Sequence, residues 1–387
     1  MEFEPHQLGR NSMDDRSNLP VADARRLVRG LTRPNPVIYW ADFLISITVA
    51  YGALTVYLTA PLFSALQVAT FSLTAFAMYR ISLFMHELVH FKKGEMTVFQ
   101  VCWNIIAGIP MLTPSFFYES HIAHHNTHHY GTRNDGEYLP LGNGALRDLV
   151  AYAAQVVLQP IVVTVRFLLT PISFLHPKLR QWTLERASSF VINFSYRKPI
   201  STNAPRRAWA AMELACSLRA WVIFIAPIVG LTTWSRVPQL YALAVAILTL
   251  NHLRALSSHR FLSDGDRMSH SNQFSDSTII TGNLFTSLIC PLGQRYHALH
   301  HLIPSLPYHN LAEAHRRLSS ELPADSPYHK AVYPSYFAVL REMRTHYLTH
   351  QSEADQIKRR WYETDLQSDT ITMPSPREQP ENLSASA

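Results

Sequence analysis

Histidine is the residue type in this chain whose number and spacing indicate chemistry. The sequence has 20 histidines among 387 residues, most of them within 86–129 and 252–315. They form four groups: His86-Glu87-Leu88-Val89-His90; His121-Ile122-Ala123-His124-His125, followed by His128 and His129; Asn251, His252 and His259; and His297-Ala298-Leu299-His300-His301. On an α-helix, positions i and i+4 lie about 40° apart, and positions i, i+3 and i+4 span about 100°. Each HxxxH or HxxHH group therefore directs two or three imidazoles toward one point, as metal ligation requires.

The count of these imidazoles predicts two metal ions. The three HxxxH and HxxHH groups together supply eight imidazoles, more than the roughly four to six ligands of one metal ion. Imidazole suits zinc, iron, copper or nickel, and the three cysteines have no metal-site spacing. The HExxH of residues 86–90 alone also suits a zinc peptidase with Glu87 as general base, but that interpretation leaves the other two groups unexplained.

The elements that must position these histidines are long apolar runs. Hydrophobic residues make up 47% of the chain and charged residues 16%. Crossing a bilayer takes about 20 apolar residues as helix. Four runs qualify and form two hairpins: 37–60 with 62–85, and 212–232 with 237–258. Residues 98–113 are too short to span.

The stretch 148–171 is long enough to span but carries polar and helix-breaking residues, namely Gln155, Gln159, Pro160 and Arg166. If it crossed the bilayer, the histidines near 121 and near 297 would face opposite sides of the membrane. A shared metal site requires them on one face, so we expect this stretch to lie in the interface or to re-enter.

Basic residues indicate which face carries the histidines. The tail 1–35, the block 176–207 and the C-terminal region are rich in Arg and Lys, so the positive-inside rule places all three in the cytoplasm. The net charge of +6 is not organised as an aromatic-interleaved basic stripe, so we expect no nucleic-acid partner. A nitrogen-rich pair of redox-active ions at this membrane face suggests iron and O₂ chemistry.

The order HxxxH, HxxHH, HxxHH between two hydrophobic hairpins resembles the membrane fatty acid desaturase and hydroxylase superfamily. The segments YHALHHLIPSLPYHNL and HHYGTRNDGEYLPL are similar to its bacterial members. The resemblance implies an all-α integral membrane fold over residues 36–320, with four transmembrane helices, interfacial helices and a cytosolic di-iron cap. We expect residues 321–365 to form a cytoplasmic helical extension and 366–387 to be disordered.

The resemblance also implies the metal ligands. They would be the box histidines His86, His90, His121, His124, His125, His297, His300 and His301, with one more histidine near the end of the fourth span. For that ninth ligand His259 is favoured, and His252 stays an alternative. Residues expected to support the ligands from outside are Glu87, His128, His129, Asp135 and Asn251, which could orient a metal-bound water. Glu137 shares the loop of Asp135 and could do the same.

The function implied is O₂-dependent desaturation of a long acyl chain by two iron ions, in the bacterial inner membrane. Hydroxylation and oxidative decarboxylation to a terminal alkene are alternatives from the same superfamily. A histidine-rich metal carrier is a rival from another class, although its ligands would lie along the transmembrane helices. The sequence contains neither GxGxxG nor a fused haem domain, so a ferredoxin, rubredoxin or cytochrome would deliver the electrons.

Overall fold

A computed structural model describes residues 21–144, 146–350 and 352–363, and within these ranges the chain is almost entirely helical. The helices are α1 (Val21–Leu27), α2 (Pro36–Thr59), α3 (Ala65–Leu88), α4 (Thr97–Trp103), α5 (Ser120–His124), α6 (Leu146–Leu168), α7 (Thr170–Ser173), α8 (Pro177–Arg186), α9 (Arg206–Ile228), α10 (Arg236–Ser258), α11 (His270–Asp276), α12 (Leu284–Ile289), α13 (His297–Leu302), α14 (Leu311–Glu321), α15 (Pro327–Lys330), α16 (Tyr336–Thr349) and α17 (Ala354–Glu363). A π-helical turn (Asn104–Gly108) and three 3₁₀ turns (Ser115–Tyr118, Gln294–Tyr296 and Tyr308–Asn310) complete the helical elements. The two strands are β1 (Ile279–Ile280) and β2 (Val332–Tyr333).

Among the described residues, five helices are long and apolar enough to cross a membrane: α2, α3, α6, α9 and α10. Four of them coincide closely with the runs predicted to span. Asn35 caps α2 by accepting a hydrogen bond from the N–H of Val37, and Ser64 caps α3 in the same way. Both helices are apolar all round, as lipid-facing helices are. The fifth helix, α6, covers the stretch expected not to span.

Helix α4 and its π-helical turn form the short apolar segment that leads to the second histidine box. Trp103 is fully buried and donates its indole N–H to the carbonyl of Ile81 in α3 at 3.0 Å. The hydroxyl of Tyr51 in α2 donates to the carbonyl of Ile106 at 2.6 Å. These two bonds fix the segment against the first hairpin, so the chain returns to the end of α3 where the first box lies.

The C-terminal part of the described chain packs directly on the elements that carry the histidines. Strand β2 pairs in parallel with β1, with Ile279 opposite Val332, shortly before the third box. Helix α17 places the fully buried Trp361 against the loop after the second box, where its indole N–H donates to the carbonyl of Gly131 at 2.9 Å. The helical content expected for 321–365 is present here, whereas the boundary near residue 320 stays a prediction.

The N-terminal segment also joins this cap. Helix α1 buries Ala24 and Val28 in a cluster shared with α13, α14 and α15. Most of the predicted tail 1–35 and all of the predicted disordered stretch 366–387 lie outside the described residues.

Candidate metal centre

The predicted ligands lie at helix ends and on short helices that converge on one region. His86 is in the last turn of α3, His121 and His124 lie on α5, and the third box lies on α13. Helix α3 ends at Leu88, so His90 reaches the site from the following turn. The continuous helix face assumed for this pair is therefore wrong, although the two rings still approach, with centroids 5.3 Å apart.

Eight of the nine histidines fall into two groups of four. One group contains His86, His90, His121 and His300, and the other contains His124, His259, His297 and His301. Within each group the ligand nitrogens all lie within 4.8 Å of one another. Each group draws on at least two boxes, so the site forms only when the boxes are brought together by the fold.

His125 lies between the two groups. Its Nε2 is 3.0 Å from Nε2 of His121 and 2.9 Å from Nε2 of His300, both in the first group. Its ring centroid is also 4.4 Å from that of His301 in the second group. The nine imidazoles thus form two adjacent sites, which agrees with the count of two metal ions inferred from the sequence.

The structure separates the two candidates for the ninth ligand. His259 follows α10 directly, and its Nε2 lies 3.0 Å from Nε2 of His297. His252 instead directs Nδ1 toward the carbonyl of Leu248 at 3.0 Å and packs against Tyr152. Of these two, only His259 is placed among the converging nitrogens, and its role as the ninth ligand stays a prediction.

Two carboxylates hold histidines of the second box from outside. Nδ1 of His124 lies 2.8 Å from Oδ2 of the fully buried Asp135, and Nδ1 of His121 lies 3.0 Å from Oε2 of Glu137. Burial opposes protonation of His124, but the charge and hydrogen bond of Asp135 outweigh it and raise its pKa. Burial raises the pKa of Glu137 to about 7. A carboxylate on Nδ1 fixes the tautomer and leaves Nε2 free to bind metal.

A third outer contact supports His259 and was not anticipated from the sequence. The hydroxyl of Tyr130 donates to Oδ2 of Asp276 at 2.9 Å, and its oxygen lies 2.9 Å from Nδ1 of His259. Tyr138 donates to the same carboxylate at 2.8 Å. These side chains come from segments more than a hundred residues apart, and no local spacing signals them.

The remaining residues expected to support the ligands have different positions. The carboxylate of Glu87 accepts from the hydroxyl of Tyr39 at 2.5 Å and from the N–H of Tyr308 at 3.0 Å. Glu87 therefore joins the first box to the segment after the third, and its Oε1 lies 3.6 Å from Nδ1 of His86.

Asn251, His128 and His129 lie outside the two groups. Asn251 accepts from Nε of Arg254 at 3.2 Å. Helix α5 ends at His124, so His128, which is exposed, and His129 do not continue the arc of the second box.

The donor atoms fit a pair of metal ions. Among the described residues, Nδ1 and Nε2 of His86 and Nε2 of His90 are buried without a hydrogen-bond partner. Burial, reinforced by the adjacent imidazoles, lowers the pKa of His90 to about 3. The same causes lower the pKa of His121, His125, His297, His300 and His301 well below the usual value. Neutral imidazole is the form that binds metal, and a metal ion satisfies nitrogens that would otherwise be stranded.

A cavity of about 690 Å³ begins at this centre and runs between the long helices. His86, His259 and His297 form part of its wall at one end, and Val237 and Pro238 at the start of α10 form part of it at the other. The walls are mostly aliphatic and aromatic. The cavity therefore suits a hydrocarbon chain with one portion next to the histidines.

Long apolar helices, a histidine-rich centre at their ends and an adjoining apolar cavity are the features of an integral membrane protein. The family model for fatty acid desaturases matches residues 63–333, and the chain belongs to that family. This confirms the resemblance drawn from the histidine boxes. The chain is also 38% identical over 323 residues to a ceramide hydroxylase of Caulobacter vibrioides (strain NA1000 / CB15N), a match that covers 83% of this chain and 92% of the relative.

Proposed function

We propose that this protein is a di-iron, O₂-dependent oxygenase that hydroxylates a long acyl chain of a ceramide-class lipid. The observation that carries the proposal is the apolar cavity whose wall includes His86, His259 and His297 at one end. Similarity to a ceramide hydroxylase over 92% of that protein supports both the reaction and the class of lipid. When bound, the two iron ions would use O₂ and electrons to supply the oxidant that unactivated C–H bonds require and side chains lack.

The protein's own contribution is binding, orientation and exclusion of water. The aliphatic walls formed by α3, α6 and α10 would hold the chain and keep water from the centre. Asp135, Glu137 and Tyr130 would hold the imidazoles of His124, His121 and His259 in place. Imidazoles fixed in this way would hold the two ions in place beside the chain.

Desaturation, the reaction expected from the sequence, is the second candidate, and the description of the matching family supports it. Both reactions begin by removing hydrogen from one carbon. Hydroxylation then adds oxygen to that carbon, whereas desaturation removes hydrogen from its neighbour. The wall residues determine which C–H bonds face the ions, and hydroxylation is placed first because of the relative. The metal-carrier alternative finds no support in the ligand positions, which lie at the ends of the long helices rather than along them.

We propose that α6 does not cross the membrane, so that four helices span. Tyr152 near its start donates to the carbonyl of His252 at 2.9 Å, and Arg166 near its end pairs with Glu213. His252 lies 16 residues after the start of α10 at Arg236, and Glu213 lies 15 residues before the end of α9 at Ile228. At about 1.5 Å per residue, both contacts lie about 23 Å from the loop that joins α9 and α10. Val157, between these two ends, accepts a hydrogen bond from Tyr241, which lies only five residues after the start of α10. The middle of α6 therefore lies nearer that loop than its two ends, which supports a segment that enters the membrane and returns to the same side.

With four spans, the histidines and both termini share one face, and the basic block 176–207 supports a cytoplasmic orientation in a bacterial inner membrane. The electrons would come from a separate one-electron carrier of the ferredoxin, rubredoxin or cytochrome type. An acidic carrier would be attracted to this basic face.

The test is expression in a bacterial membrane that contains ceramide, followed by lipid mass spectrometry. We expect ceramides that gain one oxygen atom in the wild type and none in His124→Ala or His300→Ala, whose iron content should also fall. Ceramides that lose two hydrogens would favour desaturation. A new terminal alkene would favour decarboxylation, and unchanged lipids in an iron-loaded, reduced enzyme would refute all three.

A further inference from the structure

Arg219 is an arginine in the middle of the long apolar helix α9. It lies 13 residues after the start of α9 and nine before its end. Within the described residues its side chain makes no hydrogen bond or ion pair, whereas Arg80, Arg166 and Arg254 each have one. A charged side chain at this depth is costly, and as a rule it faces a polar interior and marks a functional site.

The side chain of Arg219 lines the cavity that begins at the histidines. Several other polar groups in the same wall are satisfied by backbone carbonyls. The hydroxyl of Tyr51 donates to Ile106 at 2.6 Å, that of Tyr241 to Val157 at 3.0 Å, and the amide of Gln159 to Val191 at 3.2 Å. Arg219 is thus a cation in this wall to which the described residues provide no hydrogen bond or ion pair.

The depth of Arg219 follows from the hairpin formed by α9 and α10. Arg219 lies nine residues before the end of α9, and His259 lies 23 residues after the start of α10 at Arg236. The difference of 14 residues, at about 1.5 Å each, places Arg219 about 21 Å from the metal end of the cavity. The cavity continues beyond it to Val237, one residue into α10, which adds about 12 Å.

An alkyl chain cannot satisfy a guanidinium group. Arginine carries five N–H donors, which keep oxygen partners such as water or lipid oxygens when the protein supplies none. An acyl chain whose terminal methyl group extended past Arg219 would displace those oxygen partners. The charge therefore divides the cavity into two parts. The upper part, between the histidines and Arg219, accepts hydrocarbon, and the lower part, between Arg219 and Val237, does not.

We propose that Arg219 forms the floor of the acyl-chain site and sets the length of chain that the enzyme accepts. An extended chain rises roughly 1.25 Å per carbon, from a bond length near 1.5 Å and an angle near 111°. The 21 Å above Arg219 therefore hold about 16 carbons beyond the oxidised position. This inference rests on the proposed action on an acyl chain.

The experiment compares Arg219→Met with Arg219→Lys, which keeps the charge. Leu218→Met is the control, since Leu218 is 67% exposed toward lipid on the neighbouring position. Saturated N-acyl sphinganines of graded acyl length are added to purified, iron-loaded protein, and the rise in Tm is recorded for each length. The chain lengths of oxidised lipids in cells are measured in parallel.

We expect Arg219→Met to shift the length that gives the largest rise in Tm upward, by as much as about nine carbons, the length of the lower part. Arg219→Lys and Leu218→Met should keep the wild-type optimum. An unchanged optimum in Arg219→Met would overturn the inference. So would loss of all N-acyl lipid binding with iron content preserved, because Arg219 would then bind the polar group of the lipid. Absence of oxidised lipid in wild-type cells would count against the proposed function, while the binding series still tests the floor.

Discussion

The substitution Asp135→Asn tests whether the outer carboxylate controls metal binding. Oδ2 of Asp135 faces Nδ1 of His124 at 2.8 Å and accepts from the N–H of Gly131 at 3.1 Å, while Oδ1 accepts from the N–H of Glu137 at 2.9 Å. Gly131 has a φ of +71°, which glycine adopts without strain, and this helps to aim its N–H at the carboxylate. All three protein groups therefore present protons to Asp135.

Asparagine has the same shape but replaces one acceptor oxygen with NH₂. If the NH₂ faces Glu137, two buried donors oppose each other. If it faces His124, Nδ1 must become the acceptor, and the ring proton moves to Nε2, the nitrogen that would bind metal. One unsatisfied buried donor costs about 1–3 kcal/mol. At 1.4 kcal/mol per tenfold, metal affinity in the group of His124 should fall by about 5- to 150-fold.

The assay is iron content per chain, together with competition against a chelator, on purified wild type, Asp135→Asn and Asp264→Asn. Asp264 is a half-buried carboxylate that belongs to neither group of histidines, and its variant should behave as the wild type in metal binding. We expect Asp135→Asn to fall from two ions toward about one, because the other group of histidines does not contact Asp135. Wild-type iron content and wild-type resistance to the chelator in Asp135→Asn would refute this reasoning.

Three further predictions concern the ninth ligand, a buried ion-pair triad and pH. His259→Ala should lower iron from two to about one per chain while His252→Ala retains both ions, and equal loss in the two variants would contradict the assignment. Glu213→Ala leaves Arg166 and Arg180 without their shared carboxylate, so the free energy of unfolding in detergent should fall by about 3–5 kcal/mol, whereas an unchanged value would show that the triad is not stabilising. Folding lowers the pKa of most of the clustered histidines, namely His90, His121, His125, His297, His300 and His301. The unfolded chain therefore binds more protons, and the Tm of the metal-free protein should fall as pH decreases from about 6.5 toward 3. The opposite slope comes from fewer groups: His124, whose pKa Asp135 raises, and Glu137 and Asp276, whose pKa values burial raises to about 7 and 6. A Tm that rises on acidification would refute the prediction.

The membrane helices and the histidine boxes were predictable because their signals are local. A run of about 20 apolar residues is long enough to span the bilayer as a helix. The predicted runs coincide with α2, α3, α9 and α10. The run predicted as 62–85 continues as helix to Leu88, so the first histidine of the box lies inside the membrane helix itself. The spacing of four residues likewise indicated that His86 and His90, and also His297 and His301, would share a site. The histidines three residues apart were expected to share one too, but they lie in different groups.

The outer contacts were not predictable because they join distant parts of the chain. Tyr130 and Asp276 lie 146 residues apart, and Gly131 and Trp361 lie 230 apart. Neither Tyr130 nor Trp361 belongs to a periodic pattern. A buried aromatic residue in a polar segment can pack against many partners, so the sequence does not indicate which one it contacts. Asp135 and Glu137 could be suggested only because they lie within 16 residues of the histidines that they contact.

The ribosome synthesises these elements in chain order, so the β1–β2 pair can form only late in synthesis. His86 is synthesised 211 residues before His297, and Val332 and Trp361 follow later still. The first hairpin can therefore insert long before the strand pair and the Trp361 contact exist to hold the second and third boxes together. Metal loading must then await completion of almost the whole polypeptide. A nascent or prematurely terminated chain would expose clustered, unligated histidines at the membrane surface, where quality-control proteases could recognise it.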